Sequence, residues 1–310
     1  MQTPWGEIEV ADAHAHLFSR GLFEALHRQM LQTGQQKPLE TMVEGLGWDL
    51  PNDNASLAER WAAELDHHGV SSTVLMASVP GDEQSAADVV RAKPDRFHGH
   101  FMFNPLAPDP EARARRAFDE LGLKGLCLFP AMFGFSVQDE RLAPLYDLAA
   151  QRPGTVVFVH MGVLTVGVRK KLGLPSKFDM SRSNPIDLHR VALEHSKVNF
   201  VLPHFGAGYF RETLMLGDLV ANVYLDTSSS NSWVKYQTPS ITLKNVFAKA
   251  LEIYGPERLL FGSDSSFFPR GWNRPVFDQQ TAIMRELEVE HEAAAAILGG
   301  NLKRLLECRA

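Results

Sequence analysis

The chain has 310 residues, 45% of them hydrophobic and 22% charged, with a net charge of −6 at neutral pH. That is enough for one large barrel or two modest domains around an ordinary globular core. The acidic balance leaves no basic footprint for nucleic acid, and no apolar run approaches the roughly 20 residues a membrane helix needs. Met1-Gln2-Thr3-Pro4-Trp5-Gly6-Glu7 lacks the basic start and apolar stretch of a secretory signal. Two cysteines, Cys127 and Cys308, are too few for a disulfide framework, so a reducing cytoplasm is the expected location.

In chain order, the first strand is expected over Ile8–Ala13, running into Asp12-Ala13-His14-Ala15-His16. Alternate residues of a strand share a face, so this reading points Asp12, His14 and His16 the same way. The two imidazoles then stand one strand-step apart, close enough to hold one metal ion. The connection from Leu17 to Asn54 is overlong and is expected to contain a helix near Arg20–Thr33. Ser56-Leu57-Ala58-Glu59 reads as a capping box that opens a helix to about His68, closed by Gly69.

Further strands are expected over Ser72–Ala77, Gly99–Phe103, Gly125–Phe129, Thr155–His160, Val198–Pro203, Asn222–Asp226 and Arg258–Gly262. Helices at 84–92, 109–121, 139–150, 185–196, 207–218, 240–254 and 275–289 separate them, with Pro110, Pro185 and Pro275 suited to first turns. Thr155-Val156-Val157-Phe158-Val159 and Leu259-Leu260-Phe261 are continuously apolar, as strands buried on both faces of a parallel sheet are. Eight strand–helix units without a composition shift point to a single-domain (β/α)8 TIM barrel over residues 1–310, an open doubly wound sheet being the competing arrangement. A second long connection, Met161 to Asn184, follows the fifth strand. Both long connections leave the strand ends where barrels build active sites, and are expected to form a lid or pocket wall.

His160, His204 and Asp264 each end a later strand on that same rim. A histidine closing a buried strand is costly unless its ring nitrogens find partners, and any one of them could be a satisfied core residue. Four histidines and an aspartate at one rim suit a divalent cation with nitrogen and oxygen ligands, zinc being favoured over manganese by affinity order. His98-Gly99-His100 repeats the spacing but opens its strand, which puts it at the opposite end of a barrel. His67 and His68 end a helix, where they suit the dipole, and Cys127 reads as a small core residue.

These residues, in this order, resemble the amidohydrolase superfamily, and most closely its amidohydrolase 2 branch, which includes aminocarboxymuconate-semialdehyde decarboxylase. Pro94-Asp95-Arg96-Phe97, Leu259-Leu260-Phe261-Gly262-Ser263-Asp264 and Ile297-Leu298-Gly299-Gly300-Asn301-Leu302-Lys303-Arg304-Leu305-Leu306 extend the likeness over nearly the whole chain. The resemblance implies a metal held by His14, His16, His160 and Asp264, with His204 as general acid/base and Asp264 sharing the proton work. Asp12 is expected to orient a ligand or the strand end from behind. Binuclear relatives bridge two ions with a lysine ending the fourth strand; here Lys124 precedes that strand and Phe129 takes the rim, so one divalent ion is expected. Trp48, Arg270 and Trp272 are candidate substrate-binding residues, with Trp233, Phe267 and Phe268 in the same rim loops.

The function expected is a metal-dependent hydrolase acting through a metal-activated water on a small carboxylate-bearing or aromatic molecule. The alternative is a non-oxidative carboxy-lyase. Ser265-Ser266-Phe267-Phe268-Pro269 departs from the Asp-Tyr-Pro-Phe common after the aspartate in the decarboxylase branch, which tilts the reading to hydrolase. A homodimer is the assembly the resemblance suggests.

Overall fold

The computed structural model of the chain describes residues 1–229 and 231–307, so Cys308 lies outside the described residues. After a short N-terminal hairpin (Gln2–Thr3 with Gly6–Glu7), eight strands run in order: β1 (Ala11–Leu17), β2 (Ser72–Ala77), β3 (Phe97–Phe103), β4 (Gly125–Leu128), β5 (Val156–Val159), β6 (Asn199–Leu202), β7 (Val223–Asp226) and β8 (Leu259–Leu260). Each pairs with the next in parallel, and helices fill the connections. The ring closes through the segment after β8, where the Ala13 amide donates to Phe261, the Asp264 amide to His14 and the His16 amide to Ser265, at 2.8, 2.9 and 2.7 Å. The result is the expected (β/α)8 barrel. Among the described residues no helix is long and apolar enough to cross a membrane.

Two cores follow from strand alternation. Leu126, Leu128, Val157 and Val159 face outward against the helices. Ala11, Ala13, Met76, Met102, Cys127 and Phe158 fill the bore, and Leu302, Leu305 and Leu306 of the last helix (Asn301–Glu307) pack into that same cluster. That helix is fixed by Asn301, whose amide donates to the carbonyls of Pro256 and Leu259, both at 2.7 Å. A Cβ on Gly299 would meet the Glu9 carbonyl at 2.6 Å and the Ala11 amide at 2.9 Å, so the terminal Gly-Gly-Asn is a docking device beneath β1.

The register of β1 departs from the simple alternation expected. It slips between Asp12 and Ala15 against β2, the mark of a bulge. Val10 and, past the slip, Ala15 and Leu17 belong to the outer core, while Ala11 and Ala13 sit in the bore. Asp12 therefore turns outward to meet Trp272, and His14 and His16 turn inward to the mouth. The shared face of Asp12 with the two histidines is thus corrected to opposite faces.

Other differences are local. The helix Asn54–His68 is capped by Asp53, with Ser56 as the reciprocal partner at its third position, and closes at Gly69 in the left-handed region (φ 71°). Pro185 lies in the turn before the helix Asp187–Glu194 rather than in its first turn. The first long connection carries two helices, Arg20–Gln32 and Leu39–Gly45. Their apolar faces (Leu22, Phe23, Leu26, Met42 and Val43) join Trp48 with Val168 and Leu174 of the other long connection in a separate core above the mouth.

His100 lies in the bore, its ring against the Gly125 backbone, and neither of its nitrogens has a partner among the described residues. Burial lowers its pKa to about 3 from an ordinary 6.5, so the folded chain keeps it neutral. The unfolded chain binds a proton there below about pH 6.5 and the native chain does not, so this site loses stability as pH falls. In EDTA-treated protein, His100→Leu should gain on the parent by about 1.4 kcal/mol per pH unit between pH 6 and 4. Urea unfolding across that range measures it, and parallel pH profiles would show His100 to be charged or solvated in the native state.

Candidate metal centre and substrate cavity

The bulge aims both histidines of β1 at one point. His14 Nε2 and His16 Nε2 are 3.3 Å apart, and Asp264 Oδ1 stands 3.2 Å from His16 Nε2 and 3.9 Å from His14 Nε2. Tetrahedral ligands at about 2.0–2.1 Å from an ion are separated by about 3.3–3.4 Å. These are the only residues among those described that bring three such ligand atoms together, and their spacing and donor chemistry fit a divalent cation.

The outer hydrogen bonds settle which nitrogen of each ring is free. Ser78 spends its hydroxyl proton on the Met76 carbonyl (2.9 Å), so it accepts from His16 Nδ1 at 2.7 Å and leaves Nε2 with its lone pair. His14 Nδ1 donates to Asp226 Oδ2 at 2.5 Å, a carboxylate–imidazole pair of the kind that orients metal ligands. Ser228 lies beside both His14 Nδ1 (3.0 Å) and His204 Nδ1 (2.9 Å), and its amide donates to Asp226 Oδ1 at 2.7 Å. His204 Nδ1 also donates to the Ser228 carbonyl (3.2 Å), which leaves Nε2 as its basic atom toward the cavity. A Cβ on Gly262 would sit 2.5 Å from Asp226 Oδ1 and 2.9 Å from His14 Cβ, so only glycine admits this pair.

His204 and Asp264 both have φ in the left-handed region, 56° and 55°. Non-glycine residues adopt it at a cost, and such strain gathers at functional sites. At His204 it begins a run in which Phe205, Gly206, Ala207 and Gly208 also have positive φ. That turn swings the imidazole off the end of β6 and back over the mouth.

His160 lines the same cavity but stands outside the three-atom cluster. Its ring stacks on Phe129 (centroids 5.6 Å, 24°), lies 5.3 Å from the His204 ring, and leaves Nδ1 buried without a partner. Trp48 and Arg270 line the cavity as expected. Trp272 does not. It is buried among Phe261, Phe277 and His68, and its indole donates to Asp12 Oδ2 at 2.8 Å, so it supports the strand from the far side. Asp226, Ser228 and Ser78 escaped the sequence reading. The one available signal for the first was a carboxylate, Asp226, ending an otherwise apolar strand.

The cavity is about 810 Å³, within the range for a ligand of drug size. Phe18, Trp48, Phe129, Phe158 and Phe267 supply aromatic wall, and Arg169, Lys171, Lys177 and Arg270 supply positive charge, against Asp264 as the one carboxylate. Burial opposes ionisation of Asp264, yet the imidazoles around it, His16 and His14 foremost, hold it well below the usual carboxylate range. Burial pushes His160 and His204 below the ordinary imidazole value, so both are bases at neutral pH. Burial also opposes charge on His14, but the Asp226 carboxylate outweighs it and lifts the imidazole to about 9.

A proton on His14 Nε2 competes with a metal. Apparent affinity for zinc should therefore rise about tenfold per pH unit up to about pH 9. Asp226→Asn should flatten that slope near neutrality and weaken binding about 10–100-fold. Competition titration against a chromophoric chelator at several pH values reads both, and an unchanged slope would separate Asp226 from the site.

The fold recurs in known proteins. A 140-residue stretch is 30% identical to protein fluG of Emericella nidulans, covering 42% of this chain but only 16% of that protein. The 5-carboxyvanillate decarboxylase of Novosphingobium aromaticivorans, solved with manganese and 4-hydroxy-3-methoxy-5-nitrobenzoic acid, superposes with a TM-score of 0.64 at 15% identity over 99% of both chains. A putative 2-pyrone-4,6-dicarboxylic acid hydrolase from Pseudomonas putida superposes with a TM-score of 0.60 at 19% identity, over 97% of this chain and 98% of that one. The family model described as Amidohydrolase (Amidohydro_2) matches residues 11–307, and with that match over almost its full length the chain belongs to the amidohydrolase family.

Proposed function

We propose that this chain is a metal-dependent hydrolase of a planar, carboxylate-bearing substrate, holding one divalent ion through His14, His16, His160 and Asp264. The observation that carries this is the convergence of His14, His16 and Asp264, within 3.2–3.9 Å, on the mouth of an aromatic cavity rich in cations. When bound, the ion would supply Lewis-acid polarisation of a carbonyl and a water acidic near neutral pH.

The protein's own residues do the rest. Hydrolysis of an ester or lactone joins the water oxygen to the acyl carbon, breaks the acyl C–O bond and moves one proton to the departing oxygen. Asp264, held ionised, and His204 Nε2, held basic, would take and return that proton. Arg270, which donates to the Asp264 carbonyl (3.1 Å) and Ser266 Oγ (2.8 Å), would receive the substrate carboxylate beside the triad. His160 would turn from its Phe129 stack to complete the coordination.

A carboxy-lyase is the second reading, favoured by one observation. Phe129, Phe158 and Met102 line the inner cavity, and a carboxylate placed against them loses hydration that a departing CO2 no longer needs. In that reaction the C–C bond breaks, CO2 leaves, and the ring carbon takes a solvent proton relayed by Asp264 or His204. The cyclic acids in the names of the two structural neighbours suit either chemistry.

The metal-loaded protein, assayed over aryl and dienoic acids, esters and lactones, should release acid without CO2; CO2 release would establish the lyase instead, and neither product would overturn both. His204→Ala should keep close to one ion per chain and lose about 10²–10⁴-fold in turnover, while His160→Ala should lose the ion. Metal analysis alongside turnover tests this. A metal-free His204→Ala would make that imidazole a ligand, and two ions per chain would overturn the single-ion site.

A further inference from the structure

Two aromatic rings of the cavity wall come from different loops and stack on each other: Trp48 and Phe267, centroids 4.2 Å apart at 16°. Lys171 Nζ lies over Trp48 at 5.1 Å, and the Arg270 guanidinium over Phe267 at 4.7 Å. With only 4.2 Å between the rings, neither cation fits inside the pair, so each covers an outer face. The order along the wall is therefore Lys171, Trp48, Phe267, Arg270. Arg270 bonds the backbone of Asp264, which places its end at the metal triad and the Lys171 end two ring layers away.

Lys177, from the same connection after β5, also lines the cavity, and among the described residues neither lysine forms an ion pair. Arg169, their neighbour, is occupied: it donates to Gln29 Oε1 and twice to the Pro175 carbonyl, so it pins the loop rather than offering donors. Unpaired ammonium groups beside an apolar wall in a cavity with a single carboxylate make a field that favours an anion. The cavity's 810 Å³ also far exceeds what a single-ring acid at the triad would fill.

We propose that Lys171 and Lys177 form a distal anion subsite, so that the substrate is an elongated, apolar-bodied diacid with one carboxylate at the triad and the other at these lysines. This rests on the reading of the triad end given above. The Trp48–Phe267 wall would lie along the substrate's planar body, and Lys171, held over Trp48, would already stand where the far carboxylate arrives. Specificity for length then comes from the connection after β5.

Calorimetric titration of the metal-loaded protein with biphenyl-4,4′-dicarboxylate against biphenyl-4-carboxylate, and naphthalene-2,6-dicarboxylate against 2-naphthoate, tests it. At least one diacid should bind about tenfold more tightly than its monoacid, the value of one charge-assisted contact. Lys171→Gln with Lys177→Gln should bring that ratio close to one, and Lys171→Arg with Lys177→Arg should restore it, which separates loss of charge from loss of fold. Ratios near one in the parent protein, or a ratio that survives the glutamine pair, would overturn the subsite. Dependence of monoacid binding on metal is a separate readout: its absence would overturn the triad reading while the ratio still reports on the lysines. Binding of none of the four acids would overturn both.

Discussion

The site depends on one buried carboxylate at the seam of the barrel. Asp12 accepts from the amides of His14 and Ser263 at 2.9 and 3.0 Å, from the Trp272 indole at 2.8 Å, and from the Ser263 hydroxyl. Those donors come from β1, the segment after β8 and the loop beyond it, so a single side chain ties the first strand to the last. His14 and His16 lie on one side of this seam and Asp264 on the other. Their 3.2–3.9 Å spacing exists only because the seam is closed. Burial raises the Asp12 pKa to about 6 even against four hydrogen bonds, which measures how much desolvation the junction absorbs.

A second junction sits at the end of β7. Asp226 and Ser228 reach two imidazoles from different strands, His14 and His204, so the orientations of both rings are set by the same three residues of backbone. The strained conformations at His204 and Asp264 belong to this arrangement. A strand end continues along its own direction. To bring groups from β6 and β8 over a centre built on β1, the chain must turn back sharply, and the left-handed region is how it does so. Hydrogen bonds from strand ends that are themselves buried hold the turns in place.

The sequence carried the barrel plainly, because eight short apolar runs separated by amphipathic ones admit few other folds. It carried the rim residues as well, since polar side chains ending buried strands are conspicuous. What it hid were features with no period. The bulge at Asp12 obeys no alternation and reverses the side on which that carboxylate falls. Asp226 looked like a strand boundary, although its role is to hold His14, because the contact spans 212 positions of chain. Trp272 reads as a rim aromatic, yet it turns behind the seam, where its ring packs on Phe261 and Phe277 and its indole donates to Asp12. His98 and His100 were placed at the lower end by strand direction alone, and the bore position of His100 agrees.

Chemistry and recognition are built on different parts of the molecule. The His14–His16–Asp264 cluster and its supports stand on strand ends and on turns hydrogen-bonded to them. The two long connections instead share a core of their own, in which Leu22, Phe23, Leu26, Val168 and Leu174 pack with Trp48 above the mouth. The core of this cap is distinct from the one beneath and includes none of the residues that bond Asp12 at the seam. Trp48 and Phe267 are where the halves meet, one ring from the cap and one from the loop beyond β8, stacked at 4.2 Å. Their contact seats the cap on the loop that follows Asp264, so the two parts share one wall of the cavity.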